Sequence, residues 1–159
     1  LALLQRLEEV LERPLDADLG QQRVALPGLQ GLGDLPCHAV LGHDHEADGV
    51  KAEFLQHANE EQQHADQIEA RIVQLNGEPN LNPDGLASRS HSEYVEGTTL
   101  IDMIKEDLDA ERIAIDSYRE MINYVSDQDP TTRRMLEGIL AMEEEHADDL
   151  VSLLEEIGA

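Results

Sequence analysis

The stretch EQQHAD at residues 61–66 recurs as EEEHAD at residues 143–148, so both follow the pattern E-x-x-H-A-D. In each copy a carboxylate and an imidazole are three residues apart, so on a helix they lie on one face and can reach one point. Two such pairs that converge supply oxygen and nitrogen ligands for a pair of transition-metal ions. In helical bundles, E-x-x-H on each of two helices and one Glu from each of the other two form a di-iron or di-manganese site.

Apolar residues at steps of three and four predict helices over residues 50–76, 99–125 and 130–158. Residues 77–98 are rich in Gly, Pro, Asn and Ser and contain no periodic run, which predicts a long connection. At about 3.3 Å per residue, this connection can cross the whole bundle and leave the two helices that it joins parallel. The short link at residues 126–129 makes the last two helices antiparallel neighbours. We therefore expect an all-α four-helix bundle with a long crossover.

The ends of the predicted helices carry capping signals. Thr99 followed by Asp102 resembles a capping box. Asp129 before Pro130 is typical of an N-cap followed by the first helical residue. Gly77 is a C-cap candidate for the helix predicted over residues 50–76.

Residues 1–49 form the region in which a first helix of the bundle would lie. They hold 6 of the 11 Gly and 3 of the 6 Pro, which would interrupt a long helix. Residues 1–13 are compatible with a short amphipathic helix. A bundle with three good helices needs a fourth to cover its core, and this region does not provide a convincing one.

Composition predicts a single domain over residues 1–159 that binds neither nucleic acid nor membrane. The formal charge of −24, from 35 acidic against 11 basic residues, lacks the clustered Lys and Arg that such partners need. This negative charge would attract cations, although an ordinary solvated acidic surface would also account for it. The one cysteine, Cys37, allows neither an internal disulfide nor a cysteine metal cluster. No apolar run reaches the length of a membrane span, and the acidic start is unlike a secretory signal, so we expect a cytoplasmic protein.

Five ionisable residues fall within the apolar stripes of the three helices, namely Glu61, His64, Glu111, Glu143 and His146. On the helix predicted over residues 50–76, the stripe consists of the following residues: Val50, Phe54, Ala58, Glu61, Ala65, Ile68, Ile72 and Leu75. A buried carboxylate is costly unless it is paired or bound to a metal. A single E-x-x-H most often lies on a solvated helix face, but two copies in register with a third Glu favour a metal site. Carboxylates with imidazoles suit iron, manganese or zinc, and the absence of thiolates favours a two-metal centre over structural zinc.

This constellation resembles the ferritin-like superfamily, and within it the bacterioferritin and Dps-like branch, over residues 50–158. The stretches that carry the resemblance are residues 58–66, 75–80, 107–111 and 139–146. The resemblance implies an iron-storage and detoxification protein with a di-iron ferroxidase centre that oxidises Fe(II) with O2 or peroxide. It also implies a homo-oligomeric cage of 12 or 24 subunits. Because the chain stops soon after the last helix, with no room for a short fifth helix, we lean towards the smaller shell.

The resemblance implies a role for each of the five residues. Glu61 and Glu143 would bridge or chelate the two metals, His64 would bind one iron and His146 the other, and Glu111 would be a terminal carboxylate. All five are thus predicted both to bind the metal and to carry out the oxidation.

The chain departs from the resembled family at two positions. In the resembled family the sixth ligand is a Glu on the helix that precedes the one carrying Glu61. The spacing upstream of Glu61 places it at Gly28, which has no side chain to bind a metal. We interpret the residues before about 45 as something other than a natural first-helix sequence, such as a shifted reading frame or an uncertain assignment. The Met that holds haem in bacterioferritins is replaced by Gln62, so haem is not expected.

Two further groups of residues and two further functions stay open. His57 and Glu60 lie in a region that in the resembled family faces the cage interior and takes part in iron transfer, but a polar helix face explains them equally well. Residues 43–46, His-Asp-His-Glu, look like a metal-binding tetrad. The alternative functions are another di-metal enzyme, either manganese catalase-like or rubrerythrin-like, and a bundle that only sequesters metal. The absence of a rubredoxin-type Cys pair counts against the rubrerythrin-like enzyme.

Overall fold

The structure, a computed structural model, describes residues 23–25, 45–80, 82, 90 and 95–158. The elements within these residues, in chain order, are β1 (Arg23–Ala25), α1 (His45–Gln74), β2 (Glu78–Asn80), α2 (Leu100–Val125) and α3 (Pro130–Ile157). The dominance of long helices confirms the predicted all-α fold class. The strands pair in parallel over three residues each, a contact that the sequence did not predict. Most of the predicted first-helix region lies outside the described residues.

Helix α1 begins at His45, five residues before the expected start at Val50. Residues 45–49 are His, Glu, Ala, Asp and Gly, and one apolar residue, Ala47, is too little for periodicity to detect the first turn. The helix ends where Asn76 takes a positive φ of 60° and the Gly77 N–H donates to the Ile72 carbonyl at 2.8 Å. A Cβ atom at Gly77 would lie 2.8 Å from Ile72 Cγ2, so the predicted C-cap position accepts only glycine without rearrangement.

Helices α2 and α3 begin at the predicted caps. The Thr99 hydroxyl accepts a hydrogen bond from the Asp102 N–H at 3.1 Å. The Asp129 carboxylate accepts from the N–H groups of Thr131 and Thr132, at 3.1 and 3.0 Å. These bonds satisfy donors that have no partner inside the helix, which is why both helices start at these residues.

Two apolar clusters hold the three helices together. The first cluster consists of Ala65, Ile68, Ile72, Tyr118, Met121, Val125, Leu136 and Ile139. The second cluster consists of Val50, Phe54, Met103, Ile104, Leu108 and Leu150. Residue numbers on α1 and α2 rise together from the second cluster to the first, whereas those on α3 fall. Helices α1 and α2 therefore run parallel, as the long crossover allows, and α3 runs antiparallel to both.

A polar contact joins the end of α1 to the start of α3. Arg71 Nη2 lies 2.7 Å from Asp129 Oδ2, and Arg71 Nε donates to Thr132 Oγ1 at 2.8 Å. The Thr132 hydroxyl, which is fully buried, also hydrogen bonds to the Asp129 carboxylate. The capping residue of α3 is thereby fixed against α1. Among the described helices, none is long and apolar enough to span a membrane.

Candidate metal centre

The structure brings together the five residues that the sequence singled out. Glu61 and His64 come from α1, Glu111 from α2, and Glu143 and His146 from α3. All are buried except Glu61, which is partly exposed; Glu143 and His146 are each only 1% exposed. They lie between the two apolar clusters, in the middle of the helices, so packing on both sides fixes where their side chains meet.

The ligand atoms of the three helices lie close together. One ligand atom from each of Glu61, Glu111, Glu143 and His146 lies within 4.8 Å of the others. His146 Nδ1 is 3.5 Å from Glu111 Oε1 and 3.7 Å from Glu61 Oε1. His64 Nδ1 is 3.1 Å from both Glu61 Oε1 and Glu143 Oε1. The carboxylates of Glu61 and Glu143 thus lie between the two imidazoles, a position suited to bridging two cations.

Several of these atoms have no hydrogen-bond partner among the described residues. Both Glu143 oxygens and His146 Nδ1 are buried and unpartnered. Although His64 Nδ1 is close to two carboxylates, its hydrogen-bond geometry is met only with Glu61. A buried polar atom without a partner costs about 1–3 kcal/mol. A cation at this point would supply the missing partner, so the donor set fits iron or manganese.

Glu60 contacts the centre in a way that the sequence did not reveal. Its Oε2 lies 2.9 Å from His146 Nε2, on the side of the ring away from the other carboxylates. A carboxylate that accepts from one ring nitrogen fixes the tautomer and orientation of the imidazole and leaves the other nitrogen for a metal. Glu60 therefore directs Nδ1 of His146 towards Glu61 and Glu111.

His57 is buried, and its interpretation as part of a polar helix face is wrong. It is 1% exposed and stacks on His146, with ring centroids 4.0 Å apart. Burial first, and then the neighbouring His146, lowers the pKa of His57, so its imidazole is neutral near neutral pH. Its signal was present in the sequence, because position 57 continues the spacing of Phe54 and Glu61, whereas Ala58 is only partly buried.

Glu143 and the two imidazoles of the centre retain protons in the absence of metal. Burial raises the pKa of Glu143 to about 8, and the nearby Glu61 adds to this shift. Burial alone would lower the pKa of His64, but its contacts with Glu143 and Glu61 raise it to about 9. In the same way, burial is outweighed by Glu111 and Glu60 at His146, whose pKa rises to about 9.

Asp107, which no sequence pattern indicated as a ligand, lies one turn before Glu111 on α2. Burial, and secondarily the charge of Glu111, raises its pKa to about 7. The i,i+4 spacing of these two acids was the only sequence signal. Asp107 can therefore gain or lose a proton near neutral pH, and the charges of the centre influence this equilibrium.

Two sequence-based candidates lie outside the described part of the chain. Gly28, the position where the sixth ligand falls by spacing, is not described. Of the tetrad at residues 43–46, His45 and Glu46 belong to α1, but their side chains are not described, nor are the two residues before them. Both predictions stay untested.

Comparisons with known proteins agree on one family. The model of the ferritin-like domain family matches residues 36–158. A solved structure described as a dodecameric thioferritin, the bacterioferritin-related protein from Bacteroides fragilis, is 35% identical in sequence with a TM-score of 0.69. The match covers 77% of this chain and 73% of that one. No curated protein matched significantly in sequence. The chain belongs to the ferritin-like domain family.

Proposed function

We propose that this protein stores iron and oxidises Fe(II) at the centre formed by Glu61, His64, Glu111, Glu143 and His146. The observation that carries the proposal is the set of buried, unpartnered Glu143 oxygens and His146 Nδ1, which face ligand atoms from the other two helices. A stable bundle would replace such groups by apolar side chains unless a cation bound there. Membership of the ferritin-like family supports the iron-storage part.

The residues divide the work by position. Glu61 and Glu143, between the two imidazoles, are suited to hold two Fe(II) ions together, while His64 and His146 each offer one nitrogen to one ion. Glu111 adds a terminal carboxylate. Oxidation transfers one electron from each Fe(II) to O2 or peroxide and raises the positive charge of the centre. Three carboxylates in a poorly solvated site favour that change, because they stabilise the ferric product more than the ferrous substrate.

Assembly and location complete the proposal. The thioferritin relative is described as dodecameric. We propose that this chain also forms a closed homo-oligomer of twelve subunits, in the cytoplasm, with the ferric product stored inside. Light scattering after size exclusion tests the subunit number, and a monomer or dimer would leave no interior for a mineral.

Aerobic Fe(II) oxidation, followed by ferric absorbance, tests the function. Glu143→Ala and His64→Ala should each slow the oxidation at least tenfold, since each removes a ligand. Glu145→Ala is the matched control, because Glu145 lies on the same helix and is exposed. If the two ligand variants oxidise Fe(II) as fast as the wild type and the control, the di-iron assignment is wrong.

The two alternative functions predict different results with the same protein. A manganese catalase-like enzyme would contain manganese as purified and release O2 from peroxide. A sequestering bundle would bind Fe(II) without accelerating its oxidation, a result favoured if no residue supplies the sixth ligand. Metal analysis with both assays separates the three functions.

A further inference from the structure

A second group of metal-binding side chains lies beside the centre. Glu53, His57 and Asp149 each place one ligand atom within 4.8 Å of the others. His57 Nε2 is 3.4 Å from Glu53 Oε1 and 3.9 Å from Asp149 Oδ2. None of these three residues belongs to the five-residue centre. The group joins α1 to α3 about one turn from the centre, towards the start of α1 and the end of α3.

His57 is the observation that distinguishes this group from an ordinary acidic patch. The residue is 1% exposed, and neither of its ring nitrogens has a hydrogen-bond partner among the described residues. Nε2 faces the two carboxylates at distances too long or too poorly aligned for hydrogen bonds. A buried imidazole in this state carries a desolvation cost that no hydrogen bond within the described structure offsets.

We propose that Glu53, His57 and Asp149 form a third cation site, which binds a divalent first-row transition metal such as Fe(II), Mn(II), Co(II) or Zn(II). Two carboxylates neutralise the charge of such an ion, and one imidazole nitrogen selects it over calcium or magnesium. The carboxylate side chains of Glu53 and Asp149 are 28% and 41% exposed, so water can fill the remaining coordination positions. The site is therefore open to solvent on one side and closed by His57 on the other.

The position of His57 also gives the third site a role. The same side chain lies within 4.8 Å of ligand atoms of Glu111 and His146, and its ring stacks on His146. One imidazole thus separates an ion at the solvent side from the buried centre. We infer that the third site loads the centre with Fe(II), an inference that rests on the proposed function, whereas binding at the third site does not.

Anaerobic titration with Co(II), followed by its visible absorption, tests binding at physiological salt. The double variant Glu53→Gln/Asp149→Asn should bind one Co(II) fewer per subunit than the wild type. The matched control is Glu69→Gln/Asp148→Asn, which makes the same charge change on the same two helices with side chains outside the group. It should bind as the wild type does. Equal stoichiometry and affinity in the wild type and the Glu53/Asp149 double variant would overturn the proposal.

Two further measurements keep the failure of this proposal distinct from failure of the proposed function. His64→Ala, which alters the centre at a distance from His57, should retain the Co(II) ion that the Glu53→Gln/Asp149→Asn variant loses. If Fe(II) is oxidised, the double variant should oxidise it several-fold more slowly at low Fe(II), and at the wild-type rate at saturating Fe(II). If the protein binds the third ion but does not oxidise Fe(II), the proposal of a third site stands and the proposed ferroxidase function is wrong. If the double variant oxidises low concentrations of Fe(II) as fast as the wild type, the third site stands as a binding site but the loading role is wrong.

Discussion

Metal binding at the centre should release protons, and the affinity should rise with pH. His64 and His146 have pKa values of about 9 and Glu143 of about 8 in the metal-free protein. A metal needs all three deprotonated. At about pH 7, removing the protons costs about 3 kcal/mol for each imidazole and about 1 kcal/mol for the carboxyl group. The sum of about 7 kcal/mol weakens binding about 10⁵-fold relative to the deprotonated site.

The sign of the pH dependence follows from the direction of these shifts. Each pKa is raised, so the protons are held well below about pH 8 and are lost as the pH rises through about 8 for Glu143 and about 9 for His64 and His146. Because the bound metal replaces them, Kd should fall by two to three orders of magnitude per pH unit from about pH 6 to 8 and flatten above about pH 9.

Isothermal titration with Zn(II) in buffers of different ionisation enthalpy measures the released protons directly. Between two and three protons per subunit should be released at about pH 7. Asp66→Asn, at an exposed position on α1, should release the same number as the wild type. Release of less than one proton with a Kd independent of pH would refute the reasoning.

Three other predictions concern stability and cofactors. Leu150→Ala, at a position with 0% exposure, should lower the free energy of unfolding by about 2–5 kcal/mol in urea denaturation. Leu55→Ala, at 62% exposure, should change it by less than about 0.5 kcal/mol, and equal losses would contradict the assigned core. Asp129→Ala should cost about 2–3 kcal/mol, because it removes a helix cap and the carboxylate that pairs with Arg71 Nη2. Although burial raises the pKa of Asp129, Thr132 and Arg71 lower it to about 2, so this difference should persist above about pH 4 and vanish as the pH falls towards 2. With Gln62 at the haem-ligand position, the purified protein should show no Soret band, and such a band would overturn that prediction.

The sequence predicted those parts of the fold that local chemistry decides. Thr99 and Asp129 cap their helices because a side-chain oxygen can reach an N–H two or three residues ahead, whatever the rest of the chain does. Apolar spacing located α2 and α3 in the same way. It missed the first turn of α1, since Ala47 is the one apolar residue of the sequence between residues 45 and 49 and does not establish a periodic run.

The candidate centre was only partly predictable, for a different physical reason. Glu61, Glu111 and Glu143 could be selected because each breaks an apolar stripe. Glu60 lies off the stripe, and only the approach of α3 brings His146 within 2.9 Å of it. His57 lies on the stripe, but choosing apolar Ala58 in its place gave an equally regular spacing, and burial alone distinguishes the two. The pattern of a single helix therefore does not reveal residues that contact a neighbouring helix, because those contacts depend on how the helices pack.

The two apolar clusters explain how so polar a centre persists in a small bundle. Ile104 and Leu150 are fully buried on one side of the centre, and Leu136 and Ile139 are almost fully buried on the other. Burying each such side chain contributes about 1.5–3 kcal/mol, enough to offset several unpartnered polar atoms. The ligands are therefore positioned before any ion binds, because apolar packing and not the ion sets the helix spacing. It follows that substituting Glu143 removes metal affinity without unfolding the bundle, whereas substituting Leu150 loosens the ligands and weakens binding and stability together.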